Sequence, residues 1–140
     1  MKAVLVPVDG SECSLRAVHY LIGAHKDGRC PTLHLLNVQA GLTGDVSQFV
    51  SSSNIRDYRR EQSDAALRAA RALLDRAGIP YEEHVEIGHA ADCIARTAEA
   101  LHCDHIVMGT HGRSALADLL VSSTTLKVLH QTLLPVVLVK

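Results

Sequence analysis

Five short apolar runs alternate along the chain with stretches of helical periodicity, and that alternation leaves few folds open to it. Ala3-Val4-Leu5-Val6-Pro7-Val8 is a continuous apolar run, the pattern of a strand covered on both faces. Thr32–Val38, Tyr81–Ile87, His105–Met108 and Pro135–Val139 are the other four. Between them lie helices with recognisable ends. Ser11 suits the N-cap of a helix carrying Val18, Leu21 and Ile22, with Gly28 near its stop. Ser51–Asn54 precedes a long helix ending at Gly78, with Ala65, Ala66, Ala69, Leu73 and Leu74 expected inward. Gly88 precedes a third, with Ile94, Ala95, Ala98 and Leu101 at helical spacing. Ser122-Ser123 opens a fourth, with Leu126, Leu129 and Leu133 on its expected core face and Pro135 as terminator.

Such a β-α-β-α-β-α-β-α-β chain predicts a three-layer α/β/α fold around a five-stranded parallel sheet with right-handed crossovers. Glu82, His84 and Glu86 make every second residue of the third strand polar, which suits an edge. The first and fourth strands then take the centre, giving the order 3-2-1-4-5. The last strand falls at the opposite edge and is apolar throughout, so a homodimer formed through Val136–Val139 is expected. Gln39–Asn54 reads as a long connector. At 140 residues, the expectation is one domain over residues 1–140.

Composition narrows the function. With 14 Lys and Arg against 15 Asp and Glu, the chain lacks the basic surface that nucleic acid or anionic membrane would require. Aromatic residues make up 3% and Trp is absent, which argues against base-stacking platforms. No apolar stretch reaches the ~20 residues needed to span a bilayer, and no secretory signal is recognisable. Cys13, Cys30, Cys93 and Cys103 form no CxxC pair and read as reduced thiols. A cytoplasmic protein is the expectation.

In an open parallel sheet, ligands sit beyond the carboxyl ends of the strands where the connections diverge, here between strands one and four. Two remote polar segments meet there. After strand one comes Asp9-Gly10-Ser11; after strand four come Gly109-Thr110-His111-Gly112-Arg113 and, further on, Ser122-Ser123-Thr124-Thr125. Glycines let backbone N–H groups approach an anion, and a helix N-terminus adds donors and the positive end of a dipole. Asp9 suits a ribose hydroxyl or an amine. Each residue also has a purely structural use: Asp9 as a turn cap, the glycines in backbone geometry, the serines as helix caps.

Other motifs are missing. No G-x-x-x-x-G-K-[ST] or G-x-G-x-x-G occurs, and Gly112-Arg113-Ser114-Ala115-Leu116 lacks the final glycine of a nucleophile elbow. A phospho-acceptor receiver domain would need an Asp after strand three, where Gly88-His89 stands. His102-Cys103-Asp104-His105 groups ligand types, but neighbours on a strand point to opposite faces, so no metal site is expected there.

Along its whole length the chain resembles the universal stress protein family. The likeness rests on Val6-Pro7-Val8-Asp9-Gly10-Ser11, Asn37-Val38, Met108-Gly109-Thr110-His111-Gly112-Arg113 and Pro135-Val136-Val137-Leu138-Val139. It implies a Rossmann-like domain of the adenine nucleotide hydrolase type, usually dimeric, with members that bind ATP or AMP and serve stress survival. In the ATP-binding branch the signature is G-x2-G-x9-G-[ST]. Gly109, Gly112 and Ser123 match it, whereas Ser122 replaces the third glycine, and Val121-Ser122-Ser123-Thr124 looks more like the branch without ATP. By resemblance, Pro7, Val8 and Val38 would border the adenine, Asp9 would meet base or ribose, and Met108 would lie beside the sugar. Gly109, Gly112, Arg113, Ser122, Ser123 and Thr124 would surround the phosphates, with the part of Mg left open. The function so implied is a cytoplasmic sensor or regulator that binds ATP or AMP and has no catalytic residues, with ATP hydrolysis slow at most. The alternative is a dimeric interaction module of the same family that binds no nucleotide.

Overall fold

Parallel hydrogen bonding joins the five expected strands into one sheet. A computed structural model describes residues 1–41, 51–110 and 121–140. Its elements, in chain order, are β1 (Ala3–Pro7), α1 (Glu12–Lys26), β2 (Thr32–Gln39), α2 (Ser52–Ala77), β3 (Tyr81–Ile87), α3 (Ala90–Ala100), β4 (His105–Gly109), α4 (Ser123–Gln131) and β5 (Val136–Val139). The strand order is 3-2-1-4-5, as the apolar patterning implied. Most of the expected connector between β2 and α2 lies outside the described residues, as do His111, Gly112 and Arg113.

Strand alternation sorts the core into two layers. Val4, Val6, Leu33, Leu35 and Val107 face one way and pack under Val18 and Leu21 of α1 and Leu67, Ala70 and Leu74 of α2. Leu5, Leu36, Ile106 and Met108 face the other way, under Ala91, Ile94 and Ala98 of α3 and Val128 of α4. The helix starts are those the serines marked: Ser11 accepts from the Ser14 N–H, Ser51 from Asn54 and Ser122 from Thr125.

Two helices bury different residues from those expected. In α2 the inward stripe is Ser63, Leu67, Ala70 and Leu74, spaced i, i+4, i+7, i+11. Ala65 and Ala69 are exposed, because each lies two residues, about 200° of helix, beyond a member of that stripe. In α4 the core takes Thr125 and Val128, while Leu126 and Leu129 are 48% and 42% exposed. Val128 packs into the core layer under α3, and buried Thr125 keeps its hydroxyl bonded to Ser122, so the leucines fall on the outer face. Leu133 lies past the helix end and is wholly exposed.

The centre of the sheet opens for a local reason. Val8 donates its N–H to Leu36 of β2, so the alternate N–H positions of β1 turn toward β4. Pro7 holds such a position and has no N–H to give. Accordingly β1 pairs with β2 as far as Pro7 but with β4 only at Val4↔His105 and Leu5↔Ile106. On the far side of the gap, the first turn of α1 rests on the end of β4. A Cβ on Gly109 would overlap the Cys13 carbonyl.

Gly109→Ala should therefore lower stability by about 3 kcal/mol, through forced separation of α1 from β4. Gly23, inside α1 with open space around it, gives the opposite sign: Gly23→Ala should stabilise by about 0.5–1 kcal/mol. Urea denaturation midpoints of the two variants check both, and equal midpoints would contradict the close approach.

Candidate functional site

Beyond the carboxyl ends of β1 and β4 lies a cavity of about 210 Å³. Three helices begin at its wall: α1 through Ser11, Cys13 and Ser14, α3 through Ala90 and Ile94, and α4 through Ser122, Thr124 and Thr125. Every βα turn of a parallel sheet lies at this one end, so their positive dipole ends converge there. Val8, Leu36, Val38, Ile94 and Met108 make one side of the lining apolar. Asp9 and the hydroxyls of Ser11, Ser14, Ser122 and Thr124 supply the polar side.

Asp9 sits at the bend between β1 and α1. Its Oδ1 accepts the Ser11 N–H at 2.9 Å, and Gly10 turns the chain with φ +86°. A Cβ on Gly10 would come to 3.2 Å from Ala66 Cα, so α2 also requires a bare backbone there. Burial raises the Asp9 carboxyl, but hydrogen bonds from the Ser11 hydroxyl and N–H and from Ser14 outweigh it and leave its pKa below the ordinary value. Asp9 is thus an anion at neutral pH, able to accept from hydroxyls or an amino group and weak as a base. Behind it, buried Asn37 donates from Nδ2 to the Val8 carbonyl at 2.8 Å and secures the strand end.

At α4 Ser122, which stands where the family signature has its third glycine, has an unstrained backbone. Its φ is −60° and its ψ 155°, ordinary extended values, so no left-handed strain attaches to a side chain there. Its hydroxyl caps the helix, 3.1 Å from the Thr125 N–H and 2.8 Å from Thr125 Oγ1. By helix geometry the N–H groups of Ser123 and Thr124, in the first turn, lack an intrahelical acceptor.

Of the residues singled out from sequence, Pro7, Val8, Asp9, Val38, Met108, Gly109, Ser122 and Thr124 line this cavity. Ser123 heads α4 but its side chain is exposed and does not line the wall. Gly112 and Arg113 lie outside the described residues. Gly109 has a structural duty as well, the contact with α1. Ser11 and Thr125, which the sequence placed in the two converging segments without giving them a ligand role, also line it; the sequence reading missed Cys13, Ser14, Leu36, Ala90 and Ile94. Ala90 and Ile94 were open to inference, since the turn after the third strand shares the same end of the sheet. A second hollow, of about 740 Å³, lies between α2 and the outer half of β3. There Arg71 is committed to Glu83 and, at 3.0 Å, to Asp64, and among the described residues the start of α2 at Ser52 is the one helix N-terminus in its lining.

Comparison with known proteins agrees with the fold. The model of the Universal stress protein family matches residues 1–140. Universal stress protein Slr1230 of Synechocystis is 31% identical over 133 residues, 95% of this chain but only 40% of that protein. Universal stress protein MJ0531 of Methanocaldococcus jannaschii is 30% identical over 145 residues, covering 99% of this chain and 82% of that one. The solved structure of MJ0577 from the same organism has a TM-score of 0.79 at 26% identity, covering 99% of this chain and 95% of that one. More distant in sequence are a universal stress protein from Archaeoglobus fulgidus solved in complex with dAMP and a universal stress protein family protein from Arabidopsis thaliana solved with AMP bound. Both have a TM-score of 0.70, at 18% and 19% identity, and both cover 100% of this chain, with 98% and 91% of their own length matched.

The capping duty of Ser122 sets an expectation for stability. Ser122→Ala should cost about 1 kcal/mol, and Ser122→Gly only a few tenths. Denaturant midpoints for the two variants provide the measurement, and equal losses would remove the hydroxyl from the capping role.

Proposed function

The chain belongs to the universal stress protein family, and from that premise we propose that it binds an adenine nucleotide, AMP or ATP, in the cavity between β1 and β4. One observation carries the reading: the cavity is apolar along Val8, Leu36, Val38, Ile94 and Met108 and ringed elsewhere by three helix N-termini. A purine suits the first surface and phosphates suit the second. The volume of about 210 Å³ suits base and sugar, with phosphates running outward along the start of α4. Asp9, held ionised, accepts from ribose hydroxyls or the base amino group. The Ser123 and Thr124 N–H groups and the Ser122 hydroxyl meet the phosphates, with Gly112 and Arg113 assigned to the same end. The nucleotides in the Archaeoglobus and Arabidopsis structures support the choice of ligand class.

The role is that of a cytoplasmic sensor or regulator in a stress response, acting as one domain over residues 1–140. Asp9 is the one carboxylate among the described lining residues, and its lowered pKa makes it a poor general base. ATP hydrolysis is accordingly slow. No helix among the described residues is long and apolar enough to cross a membrane.

The chain works as a homodimer through β5. Val136–Val139 form an apolar edge strand, and Leu138, Leu126, Leu129 and Leu133 are exposed beside it or on the preceding segment. Pairing with a second copy covers that edge.

Titration calorimetry with AMP and ATP tests the ligand. One nucleotide should bind per chain, and Asp9→Ala should weaken it about tenfold or more, as loss of a charged hydrogen bond demands. Absence of heat with both nucleotides at millimolar concentration would leave the interaction module as the surviving reading. Sedimentation equilibrium tests the assembly. The wild type should be a dimer and Leu138→Glu a monomer at the same concentration; an unshifted mass in the variant would move the interface elsewhere.

A further inference from the structure

Three ligating side chains meet on one face of the β2–β3 pair, toward the amino half of β2 and away from the cavity. We propose that His34, Glu82 and His84 form a binding site for a divalent transition-metal ion of the zinc class. His34 of β2 stands in register with Glu82 of β3, and strand alternation brings His84, two residues on, to the same face. His34 Nδ1 lies 3.1 Å from His84 Nε2 and 3.3 Å from Glu82 Oε2, and His84 Nε2 lies 3.9 Å from that same oxygen. An ion bound tetrahedrally at ~2.0–2.2 Å holds its ligand atoms roughly 3.3–3.6 Å apart. The three atoms are already close to that spacing.

Protons serve this arrangement poorly and a cation serves it well. Two facing imidazole nitrogens share one hydrogen at most, and a carboxylate oxygen crowds the same point. An ion placed between them accepts all three lone pairs. His34 is 6% exposed, so packing holds its ring in place. The Glu82 side chain is 64% exposed, which leaves the fourth position open to water. Two imidazoles with one carboxylate favour zinc and its neighbours in the first transition row over magnesium or calcium. The bound ion ties the outer strand β3 to β2. Among the described residues no other His, Cys, Asp or Glu set brings three ligand atoms together. In the His102–His105 segment, Asp104 is committed to the His105 ring at 2.9 Å and to the Lys2 N–H at 2.7 Å.

The test uses the whole chain, stripped with a chelator and free of nucleotide. Zinc sulfate is titrated by calorimetry, and cobalt(II) by its visible d–d absorption. The wild type should take up one ion per chain and develop the absorption band of a low-coordinate site. Glu82→Gln and His84→Ala, both on the outer strand, should each weaken zinc by more than ~100-fold and lose the band, since removing a direct ligand exceeds the ~10–100-fold cost of removing an outer partner. His105→Ala should match the wild type. Circular dichroism confirms that each variant is folded. Absence of saturable binding in the wild type, or binding that survives in both Glu82→Gln and His84→Ala, would overturn the site. Loss in His105→Ala alone would do the same by moving the ion to the start of β4.

Discussion

The first turn of α1 runs against the end of β4, with Gly109 beneath the Cys13 carbonyl, and the geometry of the cavity-bearing end of the sheet follows from that contact. The approach is possible because position 109 carries no side chain. It holds the start of α1 over the central gap of the sheet while Pro7 withholds the N–H that would have continued the β1–β4 ladder. Arg16 strengthens the same junction by donating to the Thr110 carbonyl, and Thr110 in turn donates its N–H to Val139 at 2.9 Å. A glycine at a strand end and a proline at its neighbour's end together make room for a cavity in the middle of a parallel sheet.

The serines around that cavity have two uses that do not compete. A capping hydroxyl satisfies one N–H of a helix start and leaves others in the first turn pointing outward. Ser11 and Ser122 both cap in this way, so the residues that hold α1 and α4 in place also decide which backbone donors face the cavity. Replacement of a glycine by Ser122 in the family signature costs no backbone strain. Its φ is negative, and its hydroxyl gains a partner in Thr125.

The two edges of the sheet are protected by different chemistry. At β3, Arg71 of α2 reaches Glu83 through both its Nε and Nη2 atoms, and the opposite face carries the two histidines with Glu82. Charge and hydrogen bonding discourage pairing with another strand there. At β5 the exposed residue is Leu138, and the segment leading into it presents Leu133 and, on α4, Leu126 and Leu129. The polar edge is suited to water or an ion and the apolar edge to another protein surface.

Much of this was legible without coordinates. Continuous apolar runs, Ser caps and Gly stops determined the order of elements, because strand and helix periods differ and helix ends need particular residues. The polar alternation of Glu82, His84 and Glu86 placed β3 at an edge, and from there the strand order and the central location of Pro7, Val8, Asp9 and Met108 followed. Small residues carry too little weight to set a helix face, so Ala65 and Ala69 lie outward, and the leucine pattern in α4 points away from the core because Val128 and Thr125 take the inward face. What only the tertiary structure decided depends on register and close approach: that Gly109 faces Cys13, and that His34 meets Glu82 and His84 across 48 and 50 residues of chain. Local sequence encodes dihedral preference and polarity, whereas a contact between distant strands depends on their relative shift by single residues, and that shift is set by the packing of the whole sheet.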